Sequence, residues 1–276
     1  MNNSYQFIHL ETYADKPRKG SGRPAAEAVA RECQRVEQSY PHIQNPLAAQ
    51  LIYGVEPIIA LNEDRSTVKR CRDAMGRKIR SDAQFVSFGV ASTKVESTPE
   101  NWNSAEVQHW VNDTLEFLEK RFGSSFVSAV AHLDERWVHI HFVLAPKSDI
   151  SNQLDISSIH PGLAAQRLVK ESSKSKKDFA YKEAMRCFQD EYYESVGLKN
   201  GQLRYGPRRR RLSRKEWHAQ VRVAQLLKKI FLDKNEQIYK LSIGLKKAKS
   251  LLSDVIYKTI KNNNKVKVNR NEFIPK

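Results

Sequence analysis

The segment from Phe126 to Pro146 limits the possible folds of this chain more than any other part of the sequence. It contains two apolar runs, FVSAVAHLDE (126–135) and VHIHFVLAP (138–146), which meet in a tight turn at Glu135, Arg136 and Trp137. Both runs are rich in the β-branched and aromatic residues that favour strands. Since parallel strands need a crossover of about a dozen residues, so short a connection predicts an antiparallel hairpin.

Three histidines of this hairpin are predicted to share one face of the sheet. Alternate residues of a strand point to the same side, so His139 and His141 face one way and Ile140 the other. The preceding strand can place His132 beside them. Three imidazoles with open coordination positions suit a catalytic divalent cation better than a closed structural one. The alternative is that all three are ordinary half-exposed polar positions of a strand.

Two carboxylates stand at the turn of the hairpin. Asp134 and Glu135 can orient a histidine N–H group or complete the coordination of the cation. Because a histidine binds a metal ion only when neutral, activity is expected to fall below about pH 6.

The rest of the chain predicts an α+β fold, an antiparallel sheet with flanking helices, followed by a basic helical extension. The predicted domains are residues 1–205 and 206–276. The other predicted elements are strands at 4–13 and 83–92, helices at 25–38, 64–80, 104–123 and 178–197, and one or two helices within 214–262.

Charge is distributed unevenly along the chain. The formal net charge is +16 for 276 residues, yet residues 1–198 sum to −1 and residues 199–276 to +17. This asymmetry favours a polyanionic partner, most often nucleic acid, over a basic helix that is merely solvated. A catalytic cation beside a nucleic acid indicates phosphodiester chemistry, in which the metal offsets charge on the phosphate oxygens.

Some classes of protein are disfavoured by the sequence. No stretch approaches the length of about 18 apolar residues that crosses a membrane, and the first residues do not resemble a signal peptide. Cys33, Cys71 and Cys187 are odd in number and far apart, so they predict neither a disulfide framework nor a zinc site and fit a reducing cytoplasm.

The motif H-L-D-E-x3-H-x-H-F-V-x-x-P at 132–146 resembles the metal motif of the Mob/Pre (MobV-type) plasmid relaxases, a branch of the HUH endonucleases. Residues 78–92, helix 104–121 and residues 187–218 are similar to the family in order and spacing. The commonest family motif has proline where Val138 stands. The resemblance covers roughly residues 5–220.

The resemblance implies a function and a cofactor. His132, His139 and His141 would bind Mn²⁺ or Mg²⁺, and Glu135 would be a supporting acid. The protein would nick single-stranded or hairpin DNA at the origin of a mobile element and rejoin it. It would work with possible accessory mobilisation proteins. The alternative is a non-catalytic or nicking-impaired origin-binding protein that keeps the relaxase fold.

The sequence departs from the family at the attacking residue. Many members carry His-Asn-x-Arg on the first helix, and the matching stretch here is ECQR (32–35). Arg35 and, further along, Asn45 fit positions expected to contact DNA, but Glu32 stands where the histidine belongs. Glu32, Tyr40 and His42 are the candidate nucleophiles. A displaced nucleophile, a metal-activated water and a protein that binds without nicking all remain open.

The C-terminal segment carries two further predictions. Arg208, Arg209, Arg210, Arg211 and Arg214 are expected to contact phosphates, unless they form a solvated connector. The apolar stripe between Ile230 and Ile256 can form a homodimer or fold back on the domain. In the hairpin turn, Trp137 can stack on a DNA base or pack against the protein.

Overall fold

The computed structural model describes residues 5–41, 43–73, 75–148, 152–170, 173–205 and 214–271, and side chains in the last range only at 219–220 and 222–253. The strands are β1 (Phe7–Ala14), β2 (Gln50–Gly54), β3 (Gln84–Glu96), β4 (Phe126–His132) and β5 (Trp137–Leu144). The helices are α1 (Ala26–Cys33), α2 (Pro57–Arg70), α3 (Pro99–Trp102), α4 (Ala105–Phe122), α5 (Pro161–Leu168), α6 (Lys174–Tyr192) and α7 (Arg214–Asn271).

The five strands form one antiparallel sheet in the order β1-β3-β5-β4-β2. The predicted hairpin supplies β4 and β5, which lie inside the sheet with β3 and β2 as their outer neighbours. The α+β prediction, with an antiparallel sheet and flanking helices, is therefore confirmed. The alternation of the sequence makes the two faces of the sheet different, as expected for strands.

One face of the sheet carries the larger apolar core. Ile140 and its neighbours at alternate positions of β5 point into this core, opposite the histidines. Helices α4 and α6 contribute to the same layer. Its largest buried members include Ile8, Leu10, Trp110, Leu118, Ile140, Phe142, Leu144, Phe188 and Tyr192. The face opposite the histidines therefore anchors the hairpin.

The other face is packed by α1 and α2, through a smaller core that includes Ala30, Leu61, Val130 and Val143. Strand register carries one row of side chains across this face: Phe7 pairs with Ser92, Ser92 with His139, and His139 with His132. Towards β1 the face is more open, since Phe7 is only half-buried. The histidines thus lie between a packed half and an open half of the same face.

Helices differ from the sequence-based expectation mainly at their ends. The helix expected over 25–38 ends at Cys33, because Arg35 adopts a positive φ of 55° that no α-helix contains. The helix expected over 64–80 instead covers Pro57–Arg70, because a proline at its first turn starts it early and the extended Cys71 ends it. Gly123, with φ of 53°, ends α4 as predicted.

The last element is a single 58-residue helix, α7. The chain divides into two compact units, Met1–Gln225 and Leu226–Lys276, while a functional division at residue 205 remains a prediction. The second unit exposes several apolar side chains, among them Ile238, Leu241 and Leu245. In the part of the chain that the structure describes, every helix is too short or too polar to cross a bilayer.

Candidate metal centre

The hairpin brings the three predicted histidines together. The ring centroids of His132 and His141 are 4.4 Å apart, and each lies 5.1 Å from the centroid of His139. One nitrogen from each ring falls within 4.8 Å of the others. His132 and His139 are buried and His141 is partly buried. This is a compact set of nitrogen donors of the kind that holds one divalent cation.

Backbone carbonyls fix how two of these rings present their nitrogens. His132 donates its Nε2–H to the carbonyl of Cys33 at 2.7 Å, and His139 donates its Nδ1–H to the carbonyl of Trp137 at 2.8 Å. His132 Nδ1 is then a lone pair, and it is buried without a hydrogen-bond partner among the described residues. An unpartnered buried acceptor among imidazoles, with its tautomer set by a carbonyl, fits a metal ligand.

His132 and His141 are also held in the neutral form that a metal ion requires. Burial, with the Arg35 and His139 charges assisting, lowers the pKa of His132 to about 4. Burial and the two neighbouring imidazoles lower the pKa of His141 well below its usual range. The expected loss of activity near pH 6 was argued from ordinary histidines, and for His132 and His141 the structure moves that limit to lower pH.

An ion-pair network lies beside the imidazoles. Arg35 donates from Nε and Nη2 to the two carboxylate oxygens of Asp134, at 2.8 Å each, and from Nη2 to Glu135 Oε1 at 2.8 Å. The same Glu135 oxygen lies 3.4 Å from His139 Nε2. Hydrogen bonding to His139 and to Arg35 lowers the pKa of Glu135. Glu135 is therefore ionised near neutral pH, and its carboxylate, 36% exposed, is available to a cation.

Arg35 occupies a different environment from the DNA-contacting position expected for it. Its side chain is 2% exposed and its partner Asp134 is 1% exposed. The sharp turn after α1 accompanies this burial, since the positive φ of Arg35 turns the chain so that the Val36 N–H bonds the carbonyl of Arg31 at 2.9 Å. Arg35 thus connects the end of α1 to the hairpin turn instead of lying on the surface.

A groove of about 450 Å³ opens beside the imidazoles. His139, His141, Glu135 and Glu32 line one part of it, so the residue at the expected nucleophile position faces the same space as the candidate ligands. Tyr5, Lys94 and Trp137 are among the residues that line the rest.

The other predicted site residues are less closely placed. The Tyr40 ring centroid lies 5.9 Å from Arg35 Cζ, near the ion-pair network, and Asn45 is exposed in the loop before β2. His42 and Arg208–Arg211 lie outside the described residues. Arg214 begins α7, but its side chain also lies outside them.

Sequence reasoning did not find three contributors to this region. The Cys33 carbonyl acts through the backbone, so no side-chain pattern could have indicated it. Lys94 and Tyr5 reach the groove only because β3 pairs with β5 and because Tyr5 bridges to Leu203. Pairing between residues that are far apart in the chain produces no local sequence pattern from which it could be predicted.

Comparisons with known proteins agree on one family. The family described as "Plasmid recombination enzyme", Mob_Pre, matches residues 62–222. Plasmid recombination enzyme type 1 of Staphylococcus aureus is 31% identical over 131 residues, which are 47% of this chain and 27% of that protein. The chain therefore spans well under half of this relative. The family match begins after Glu32 and Arg35, so it covers the three histidines but not the expected nucleophile.

Two solved structures overlap this chain loosely. The MobM relaxase domain bound to 26-nucleotide pMV158 oriT DNA is 10% identical, with 72% of this chain and 89% of that chain covered and a TM-score of 0.40. An Mn-bound crystal structure of the MobM domain with pMV158 oriT DNA is 12% identical, with 73% and 90% covered and a TM-score of 0.46.

Proposed function

The protein belongs to the Mob/Pre family of plasmid recombination enzymes, and we propose that it is a metal-dependent relaxase that nicks one DNA strand of a mobile element at an origin site and transfers it. The observation that carries this proposal is the trio of His132, His139 and His141, converged within ligand distance of one another. The buried, unpartnered Nδ1 of His132 beside them supports it.

The three imidazoles would hold Mn²⁺ or Mg²⁺, with Glu135 as a nearby carboxylate. When bound, the ion would polarise the scissile phosphate and offset the charge of its transition state. The chain's own groups prepare this site: the carbonyls of Cys33 and Trp137 orient two rings. Arg35 positions Glu135 against His139, so we propose a positioning role for Arg35 in place of direct DNA contact.

The attacking group comes from Glu32, Tyr40 or His42 in this proposal, or is a water. Glu32 has the most direct support, because it lines the groove with His139 and His141. Attack by its carboxylate on phosphorus would form an acyl phosphate and release a 3′ hydroxyl, and attack by Tyr40 would form a phosphotyrosine. The acyl phosphate is the more labile link, which suits rejoining of the strand but also permits hydrolysis.

A cleavage assay with covalent trapping tests this proposal. The full chain is incubated with Mn²⁺ and end-labelled single-stranded DNA tiled across its own element, and products are separated on denaturing gels with and without protease. Site-specific cleavage should be lost in His139→Ala and His141→Ala but kept in His109→Ala, an exposed histidine of α4. Peptide mapping of a trapped adduct would identify the nucleophile.

The second candidate is an origin-binding protein that keeps the fold without nicking. The glutamate at position 32, where the resemblance requires histidine, is the observation that favours it. Specific binding of an origin sequence without cleavage of any tiled strand, in Mn²⁺ or Mg²⁺, would establish this candidate and exclude the enzyme.

Other features of the proposal concern partners and place of action. The +17 charge of residues 199–276 supports contact with DNA phosphates through the segment that includes Arg208, Arg209, Arg210, Arg211 and Arg214. The exposed apolar side chains of Leu226–Lys276 support a homodimer through α7. Accessory mobilisation proteins and a cytoplasmic location complete the proposal. Light scattering with Leu241→Lys and Leu245→Lys would test the dimer.

A further inference from the structure

The groove beside the histidines has a second end with a different chemistry. Register places Ser92 beside His139 on the neighbouring strand, and β3 continues past it to Lys94. There the groove is lined by Tyr5, Lys94, Arg136 and Trp137. One end therefore offers imidazoles and carboxylates, and the other offers aromatic rings and cations.

Lys94 lies next to two aromatic rings at this end. Its Nζ is 4.8 Å from the ring centroid of Tyr5 and 4.8 Å from that of Trp137. Arg136 Cζ lies 4.6 Å from the same Trp137 ring. Tyr5 and Trp137 are both partly exposed, so neither residue is fully buried in the core. These cations lie over the ring faces, so a base that stacks on a ring takes the place of a cation, which then contacts the phosphate.

We propose that Tyr5, Lys94 and Trp137 form a subsite for the nucleotide next to the phosphate held at the histidines. The base stacks on an aromatic ring, and the cations contact its phosphate. The inference rests on the proposed function for the position of the scissile phosphate. A volume of about 450 Å³ for the whole groove lies within the usual range for bound small molecules, about 300 to 1,000 Å³.

The subsite selects for single strands. In a duplex both faces of each base are covered by neighbours, so a base reaches a protein ring only after it has been unstacked. Stacking is nearly independent of base identity, because every base has a π-face. The Tyr5–Lys94–Trp137 subsite would therefore hold the strand in register near the metal centre and leave recognition of the origin sequence to other contacts.

Binding without catalysis tests this subsite. Fluorescein-labelled oligothymidylate of about 16 nucleotides, at the upper end of known site sizes, is titrated into the full chain in EDTA at several salt concentrations. Trp137→Ala should weaken binding about 5- to 150-fold with an unchanged salt slope, because stacking releases no counterion. Lys94→Gln should reduce the slope of log K against log salt by about 0.7.

Controls separate stacking from a structural role. Phe179→Ala removes an exposed ring of α6, and Lys120→Gln an exposed charge of α4; neither should alter binding. Trp137→Ala should leave binding of a duplex unchanged, whereas damage to the fold would weaken both. The subsite is overturned if Trp137→Ala loses the same affinity for duplex and single-stranded DNA, or if it loses no affinity for the single strand.

Tryptophan fluorescence supplies a second measurement, in which comparison with Trp137→Phe removes the contribution of Trp102, Trp110 and Trp217. Stacking on DNA should quench Trp137, so saturating oligothymidylate should quench the wild type more than Trp137→Phe. Equal quenching would overturn the subsite. Since these experiments contain no divalent cation, their failure is separate from failure of the proposed function. If the binding experiments succeed but the protein cleaves no DNA, the relaxase proposal is refuted and the stacking subsite stands.

Discussion

Replacement of Arg35 should destabilise the protein far more than replacement of an exposed arginine. Arg35 makes two 2.8 Å hydrogen bonds to Asp134, and both side chains are at most 2% exposed. Arg35→Met leaves the Asp134 carboxylate buried with little besides the Leu47 N–H, at 3.3 Å, to compensate its charge. Breaking a buried pair from one side costs about 3 to 5 kcal/mol, because the remaining charge loses its partner.

Urea unfolding followed by tryptophan fluorescence measures this loss. With a slope of about 2 to 3 kcal/mol per molar urea, the midpoint should fall by about 1 to 2.5 M. Arg35→Lys should recover only part of the loss, since an ammonium cannot bridge both carboxylate oxygens. Arg35→Met combined with Asp134→Leu should be more stable than Arg35→Met alone, because the double variant buries no unpaired charge.

Arg121→Gln is the matched control. Arg121 pairs with Glu191 at 3.0 Å, but these side chains are 41% and 47% exposed. Arg121→Gln should therefore lower the free energy of unfolding by less than about 1 kcal/mol. If Arg35→Met shifts the midpoint no more than Arg121→Gln, the buried network does not stabilise the fold and its proposed positioning role loses its basis.

Three further predictions concern the titratable groups. His141→Ala should weaken Mn²⁺ binding by at least about tenfold in calorimetry, whereas His109→Ala should not; equal affinities would remove His141 from the centre. Because the pKa of His132 is about 4 in the folded state and 6.5 as a model value, the unfolded state takes up its proton first and stability falls as pH drops from 6.5 to 4. The urea midpoint of His132→Gln should depend less on pH in this window, and an unchanged dependence would contradict the assignment. Burial raises the pKa of Asp64 in α2 to about 7 from 3.8, so the folded state holds the extra proton and stability falls as pH rises from 4 to 7. Asp64→Asn should therefore gain stability relative to the wild type between pH 5 and pH 8, and a constant difference would show that Asp64 is ionised in the fold.

The sequence predicted the parts of the site that depend on local periodicity. Alternation along β5 placed His139 and His141 on one side and Ile140 on the other, and the short turn brought His132 opposite His139. These relations follow from strand geometry and need no knowledge of the rest of the chain.

The parts that the sequence did not predict depend on chain reversals and distant pairing. The positive φ of Arg35 ended α1 early and buried a residue that was expected to contact DNA. Arg35 there pairs with Asp134, 99 residues further along the chain, whereas helix propensity reports only on local sequence. The aromatic end of the groove depends on Tyr5 and Lys94, which are far apart in sequence and were not associated with the histidines.

The arrangement of the centre separates the groups that must stay fixed from those that can vary in evolution. The three imidazoles belong to strands that are paired on both sides, where backbone amides should exchange with solvent last. Glu32, in the last turn of α1, and Tyr40, in the loop after it, lie outside the strands. In the proposed function, the attacking residue can therefore be replaced by substitution there while the strands preserve the donor set.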